Sequence, residues 1–421
     1  MSQAQYGSSS RAALQVVFWL AFALPALGDP YVVEKAAMGA LALGCVLLLA
    51  SSKRMPASYF ERRLTPIIVP LVVVSFTYSL SYFAALWGAD VQTGLRDLME
   101  LIRYPLWVIF VLTLLAFRRQ VGAEWIVRRL VVPSIYFSVA CFVLYVLPVP
   151  FLSALLRYVY SGTKTAIGFD TGWLSWSIPF ENPNFLGLYL NWALVALLFF
   201  SKKTRTAPIA VTLLLIFATG SRTAWLACLC ALAAWVVASA LSPGRRRRAV
   251  WLFLAAGGIL CLAAVLSPVR FDEMTRVERV TTAIQKGSVL LEPSLAAHLV
   301  HANTLLSDVW AAHPILGVGP SKYAVADVID NQYVTWLVRT GVVGTLCLLL
   351  TVTTLILWRP MRAFLAIQDR FHAVGVVAFT VATGLSLFTG AFLDNLRLLV
   401  LGLTIGLCIV ANPNAADVGP S

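Results

Sequence analysis

The chain has 421 residues, 60% of them hydrophobic and only 12% charged, with a mean hydropathy of +0.83. Ordinary soluble domains carry about 25% charged residues, so that class is excluded and the chain reads as an integral membrane protein. Its 32 Lys and Arg against 19 Asp and Glu give a formal net charge of +13. That excess has to be mapped onto topology before any anionic partner is invoked.

Met1 to Arg11 is polar and Ala12 to Leu27 apolar, with no small-residue cleavage site, so the first stretch is expected to be a retained span. Further apolar stretches follow, and the expected spans are 12–28, 36–52, 66–88, 98–117, 130–150, 184–201, 207–220, 222–241, 249–267, 334–358, 371–390 and 396–412. Most approach the roughly 20 residues that a bilayer core demands. The expected fold is therefore an all-α polytopic membrane protein with about twelve transmembrane helices. Alternate connections carry Arg11; Lys53, Arg54, Arg62 and Arg63; Arg118, Arg119, Arg128 and Arg129; Lys202, Lys203 and Arg205; Arg245 to Arg248; and Arg359, Arg362 and Arg370. These are 19 of the 32 basic residues, opposed on the same side only by Glu61, Glu124, Asp369 and Asp417. The positive-inside rule makes this face cytoplasmic and puts both termini there. The net charge is mostly topology, and nothing in it calls for nucleic acid.

On the opposite face two connections are long, 151–183 and 268–332. Within the second, Pro293 to Ala312 places Leu295, Leu299, Leu306, Val309 and Trp310 along one helical face and His298, His301 and Asp308 on another. Pro314 stops that helix, Gly317 and Gly319 allow a turn, and Asp330-Asn331-Gln332-Tyr333 leads into the tenth span. The whole reads as one membrane domain, 1–421, with a helical external cap. All seven cysteines fall in apolar runs without metal-ligand spacing, which argues against a disulfide framework.

Arginines collect on the non-cytoplasmic side: Arg96, Arg103, Arg222, Arg276, Arg279, Arg339 and Arg397. A cation at the end of a membrane helix is costly and needs an anionic partner. Arg222 in Thr219-Gly220-Ser221-Arg222-Thr223, between two apolar runs, is expected to be a buried cation of that kind. The guanidinium fork suits a pyrophosphate held at the membrane surface. The structural alternative is pairing with Asp97, Glu100, Glu278 or Asp394. Two imidazoles and a carboxylate at His298, His301 and Asp308 offer no fourth ligand, so no metal site is assigned. Asp330 sits where the external connection re-enters the bilayer, with helix capping as its alternative role, and Glu181 precedes the turn-and-cap signal Asn182-Pro183-Asn184 in a similar position. No Walker loop, dinucleotide fingerprint, Gly-x-Ser-x-Gly or zinc-protease motif occurs.

Four landmarks in order make the chain resemble the O-antigen ligase and polymerase superfamily, the Wzy-type and WaaL-type enzymes. They are Ile102-Arg103-Tyr104; Phe180-Glu181-Asn182-Pro183-Asn184; Thr219-Gly220-Ser221-Arg222-Thr223; and the block Trp310…Pro314-Ile315-Leu316-Gly317-Val318-Gly319…Asp330-Asn331-Gln332-Tyr333…Gly341-Val342-Val343-Gly344. Two departures stand out. Ligases of the family carry a His-Asn pair where this chain has Asp330-Asn331, and an arginine upstream of the Trp…Pro-x-x-Gly-x-Gly block falls near His298 here. Arg276 followed by Gly287 fits a loose Arg-x10-Gly pattern of polymerases.

The resemblance implies a GT-C-like fold in the bacterial inner membrane and a polymerase that joins polyprenyl-pyrophosphate-linked repeat units into O-antigen or exopolysaccharide at the periplasmic face. It implies no cofactor and no metal, and a chain-length co-polymerase as possible partner. It assigns Asp330 and Arg222 to catalysis. It assigns Arg276, Arg279, Arg103, Glu181, Asn184, Asn331, Tyr333 and His298 to substrate binding. Trp173, Trp176, Tyr160 and Tyr323 are candidates for stacking on sugars. Two alternatives stay open. A ligase would share the fold but transfer glycan to lipid A core. A lipid-linked oligosaccharide flippase would place its charges along a central cavity rather than in an external cap.

Overall fold

The computed structural model describes residues 3–25, 37–46, 65–88, 97, 100–117, 121–147, 149–168, 173–201, 205–240, 300–320, 331–352, 370–388, 390 and 395–410. In chain order the helices are α1 (Gln3–Phe22), α2 (Ala37–Val46), α3 (Thr65–Gly88), α4 (Arg103–Phe117), α5 (Ala123–Val146), α6 (Pro150–Val159), α7 (Pro183–Phe199), α8 (Thr206–Ala218), α9 (Arg222–Ala240), α10 (residues 300–310), α11 (Gln332–Val352), α12 (Arg370–Leu387) and α13 (Leu396–Val410). By length and composition α5, α9 and α11 qualify to cross a membrane, and the others include shorter apolar helices. The chain is thus a helical integral membrane protein. The expected ninth span, 249–267, lies outside the described residues.

Helix α7 is the axis of the molecule. It is apolar all round, and Leu186 to Phe199 are buried without interruption, as a helix enclosed by others should be. Helices α8, α9, α12 and α13 pack around it. Small residues allow close approach: a side chain at Gly375 would meet Phe199 at 2.6 Å, and one at Gly402 would meet Trp192 at 2.7 Å. Trp192 Nε1 donates to Thr383 Oγ1 at 2.9 Å, tying α7 to α12. A second pairing joins α3 to α11.

Two expected spans need correction. The fifth span does not run from 130 to 150: α5 starts at Ala123 and passes through a π turn at Val127–Val131, so Arg128 and Arg129 lie in the helix, with their side chains exposed. It ends at Val146, ahead of Pro148 and Pro150, which cannot continue a helix from the preceding turn. The first span does not reach 28 either, because α1 closes at Phe22. The described chain is helical apart from one short hairpin. Inside the connection 151–183, Ala166–Gly168 (β1) pairs antiparallel with Trp173–Ser175 (β2) in the register Ala166 to Ser175, Ile167 to Leu174 and Gly168 to Trp173. A short hairpin can satisfy its backbone there because this connection lies beyond the membrane helices it joins.

At the other end of the bundle, Arg205 donates to Glu124 Oε1 at 2.5 Å and to Ser201 Oγ at 3.1 Å, clasping the connection before α8 to the start of α5. The described cysteines Cys45, Cys141, Cys228, Cys230 and Cys347 are free.

Candidate functional site

Helix α8 ends at Ala218, and Thr219 continues it by one residue, with its N–H bonded to Leu215 O and Ile216 O. Gly220 then takes φ +65°, a left-handed conformation that side-chain-bearing residues enter at a cost, and the chain reverses. Thr219 Oγ1 accepts from Ser221 N at 3.2 Å, and Ser221 Oγ accepts from Ala224 N at 3.2 Å as the N-cap of α9. Across the turn, the rings of Phe217 and Trp225 stack at 5.4 Å and 2°, while Trp225 Nε1 donates to Ile216 O at 3.2 Å. Arg222 is therefore the first residue of a helix whose start is pinned from several directions.

Its side chain is exposed, not buried as expected. The physical reason is packing: Ser221 and Ala224 face Gly187 of α7, and at about 100° per residue the intervening Arg222 is turned away from that contact. The backbone of the connection 151–183 meets the same turn, with Trp176 N donating to Ala218 O at 3.0 Å.

The Phe180–Asn184 landmark is carried to this level by α7. Asn182 Oδ1 accepts from Asn184 N at 2.9 Å and caps α7, with Pro183 at the first helical position. One turn on, a side chain at Gly187 would meet Ala224 Cβ at 2.5 Å and Ser221 Cβ at 3.7 Å, so the two helix starts touch. Asn191, fully buried, donates to Gly187 O at 2.9 Å and Ala224 O at 3.0 Å and stitches the pair together. Asn184 and Glu181, both half-buried, thus stand at the N-terminal end of the α7–α9 pair, beside the Ser221–Arg222 turn. The Glu181 carbonyl accepts from Lys164 N at 2.7 Å.

The fourth landmark forms a seam in a broken helix. Gly341 interrupts α11 at φ 61° and ψ −169°. The segment Pro314–Gly319 lies along the break: Val318 N donates to Val338 O and Gly319 N to Arg339 O, both at 2.9 Å, while Val342 N donates to Pro314 O at 2.9 Å. Backbone groups freed by the break are thereby satisfied inside the protein, which a membrane helix requires. Ser81 Oγ of α3 donates to Leu316 O at 2.9 Å from the other side. Of the expected apolar face, Leu306, Val309 and Trp310 on α10 join the buried Leu305 against Val318, Val334 and Val338, while His301 and Asp308 are exposed and Leu295 and Leu299 lie outside the described residues.

Asn331 performs the capping that Asp330 was expected to offer as its alternative role. Its Oδ1 accepts from Tyr333 N at 2.9 Å and Val334 N at 3.2 Å. Asn331→Ala is expected to cost about 1 kcal/mol, the usual worth of an N-cap, and Asn331→Asp to regain it, as read by thermal unfolding in detergent. Tyr333 is half-buried, its ring 4.9 Å from Phe388.

The other expected site residues are placed as follows. Arg103 is buried at the start of α4 and forms an ion pair with Glu100, also buried. Arg397 is fully buried and donates to Ala21 O and Phe22 O, both at 2.9 Å, and to Pro179 O at 3.0 Å, 5.0 Å over the Phe180 ring. It thereby closes the C-terminus of α1, where a cation is favoured. Trp176 and Tyr160 are not sugar-stacking platforms. Trp176 is fully buried between Phe142 and Tyr145, and Tyr160 is buried and donates to Ala23 O at 3.2 Å. Burial pushes the Tyr160 phenol up to about 12, which keeps it a donor. The side chain of Trp173, and Tyr323, Arg276, Arg279, His298 and Asp330, lie outside the described residues. Asn191 escaped the sequence reading, although a lone amide inside an otherwise apolar run is a signal that could have found it.

Residues 207–349 match the model of a family described as O-antigen ligase. The matched stretch contains both the Thr219–Arg222 turn and the seam at Gly341. No curated protein matches the chain.

Proposed function

We propose, on the premise that segment 207–349 belongs to the O-antigen ligase and polymerase superfamily, that this membrane protein transfers a glycan from a polyprenyl pyrophosphate. The acceptor hydroxyl attacks the anomeric carbon of the donor sugar, a new glycosidic bond forms, and polyprenyl pyrophosphate departs with the electron pair of the broken bond. Such a leaving group needs cations for its charge and a base for the acceptor, without metal or nucleotide. Arg222, with Arg276 or Arg279, takes the pyrophosphate, and Asp330 takes the acceptor proton. Glu181, Asn184, Asn331, Tyr333 and His298 contribute to substrate binding, while Arg103, buried in its ion pair with Glu100, is read as the structural alternative.

The observation that carries this reading is the exposed Arg222 at a rigidly pinned helix start, where backbone N–H groups and the helix dipole add to its attraction for an anion. We read the acceptor as a second lipid-linked repeat unit, because Asp330-Asn331 stands where ligases of the family carry His-Asn. The reaction then occurs at the periplasmic face of the inner membrane, with both termini cytoplasmic and a chain-length co-polymerase as partner. Transfer to lipid A core is the second reading, favoured by the description of the matched family.

The test is glycan length in cells lacking the native gene and supplied with wild type, Asp330→Asn or Asp330→His. Asp330→Asn keeps the side-chain size but loses the base, so polymer should fall by ~10²-fold or more at unchanged protein level. Full-length polymer from Asp330→Asn would remove Asp330 from catalysis. Single repeats on lipid A core from the wild type would replace the polymerase by the ligase.

A further inference from the structure

Helix α6 exposes its apolar side. Ser153 is buried, with its Oγ donating to Leu144 O at 2.7 Å, and Leu156 and Val159 pack on the protein core. On the far side Phe151 is 75% and Tyr158 70% exposed, with Leu155 and Leu152 beside them. Phe151, Leu155 and Tyr158 recur at helical spacing and form one stripe. Arg157 lies at its rim, with its guanidinium 5.0 Å over the Tyr145 ring. In water, a stripe of this kind on so short a helix would be a liability.

The position of α6 says what covers the stripe. Three residues separate Val146, the last of a helix long enough to span the membrane, from Pro150. At about 3.5 Å per residue they reach only ~10 Å, and Val149 N turns back to Leu147 O at 2.8 Å. The start of α6 is therefore held within or beside the headgroup layer, which is roughly 5–8 Å deep on each side of the hydrocarbon core. Exposed apolar side chains also precede α6, at Tyr136 and Val143 on α5 and at Leu147 and Val149.

We propose that α6 is an in-plane membrane anchor whose Phe151–Leu155–Tyr158 stripe rests on the phospholipid acyl chains of the adjoining leaflet. A helix with one face on protein, one on acyl chains and a basic residue at its rim fits an interfacial segment. The anchor has a structural consequence. From Tyr160 the chain runs through the β1–β2 hairpin to Trp176, whose N–H holds Ala218 O at the Thr219–Arg222 turn. The anchor thus sets the depth of that turn at the headgroup level. This inference rests on the membrane assignment and is independent of the reaction proposed above.

The experiment is photocrosslinking of the full chain reconstituted in vesicles of phosphatidylethanolamine and phosphatidylglycerol, with p-benzoylphenylalanine at Phe151 in one variant and at Leu155 in another. Both side chains are exposed among the described residues, so either variant suffices if the other fails to insert. The expected result is an intact-mass shift of one phospholipid as the main photoproduct. A crosslinked dimer would overturn the proposal in favour of a second copy on this face, and irradiation that leaves the protein mass unshifted would overturn it in favour of water.

Discussion

Arg222→Ala should lower glycan transfer by ~10²- to 10³-fold while leaving the amount and thermal stability of the protein unchanged. The rate figure follows from the loss of one preorganised group that stabilises developing negative charge. The unchanged stability follows from geometry. The Arg222 side chain is exposed and lies at the positive end of α9, so truncating it opens no cavity and removes a mildly unfavourable charge–dipole contact. The turn itself survives, because Ser221 Oγ, Thr219 Oγ1 and the Phe217–Trp225 stack do not depend on the guanidinium. Arg222→Lys should recover little, since an ammonium supplies a point charge without the fork that grips two phosphate oxygens. The measurements are product formed from a lipid-linked donor by purified protein and an unfolding midpoint in detergent. Wild-type transfer by Arg222→Ala would take the residue out of the site, and a lost midpoint would reassign it to structure.

Gly341→Ala should have the largest effect on stability, a loss of about 3 kcal/mol or more that appears as failure to recover folded, monodisperse protein. At φ 61° and ψ −169° the backbone occupies a region essentially reserved for glycine, at a cost of about 1–3 kcal/mol for any other residue. A Cβ there would also be driven into the Ile315 carbonyl and crowd Gly317 N. Relief requires the Pro314–Gly319 segment to move, which abandons the bonds from Val318 N, Gly319 N and Val342 N within a membrane helix that offers no water in exchange. Gly384→Ala in α12 is the matched control. A Cβ at that position meets nothing within 4 Å, so the change should be neutral or stabilise by up to about 1 kcal/mol through helix propensity. Equal stability of Gly341→Ala and wild type would mean that the break is not a fixed feature of α11.

The seam at Gly341 also illustrates how sequence and tertiary structure divide this protein between them. Composition alone determined the membrane class, because 60% hydrophobic residues exceed what a soluble surface can hide. Apolar runs marked helices among the described residues, since an isolated segment in lipid satisfies its own backbone only as a helix, although helix ends and the number of spans do not follow from run length. Local chemistry marked Asn182-Pro183-Asn184 as a helix start, because an Asn cap and a Pro at the first position act within four residues. The degenerate landmarks pointed to the O-antigen ligase and polymerase superfamily, and residues 207–349 match the model of a family described as O-antigen ligase.

What the sequence could not decide were interactions between residues far apart in the chain. Two arginines that read alike, Arg222 and Arg397, have opposite fates. Arg397 is sealed inside against carbonyls of Ala21, Phe22 and Pro179, more than 200 positions away, while Arg222 faces outward. Trp176 and Tyr160 look like sugar platforms in a loop until the fold buries them. Gly317 reads as a turn and Gly341 as an interior residue of the tenth span, and only tertiary structure makes them the two sides of one seam. Burial and partnership depend on which helices meet, and that is a property of the packed bundle, whereas periodicity and capping depend on neighbours within a turn.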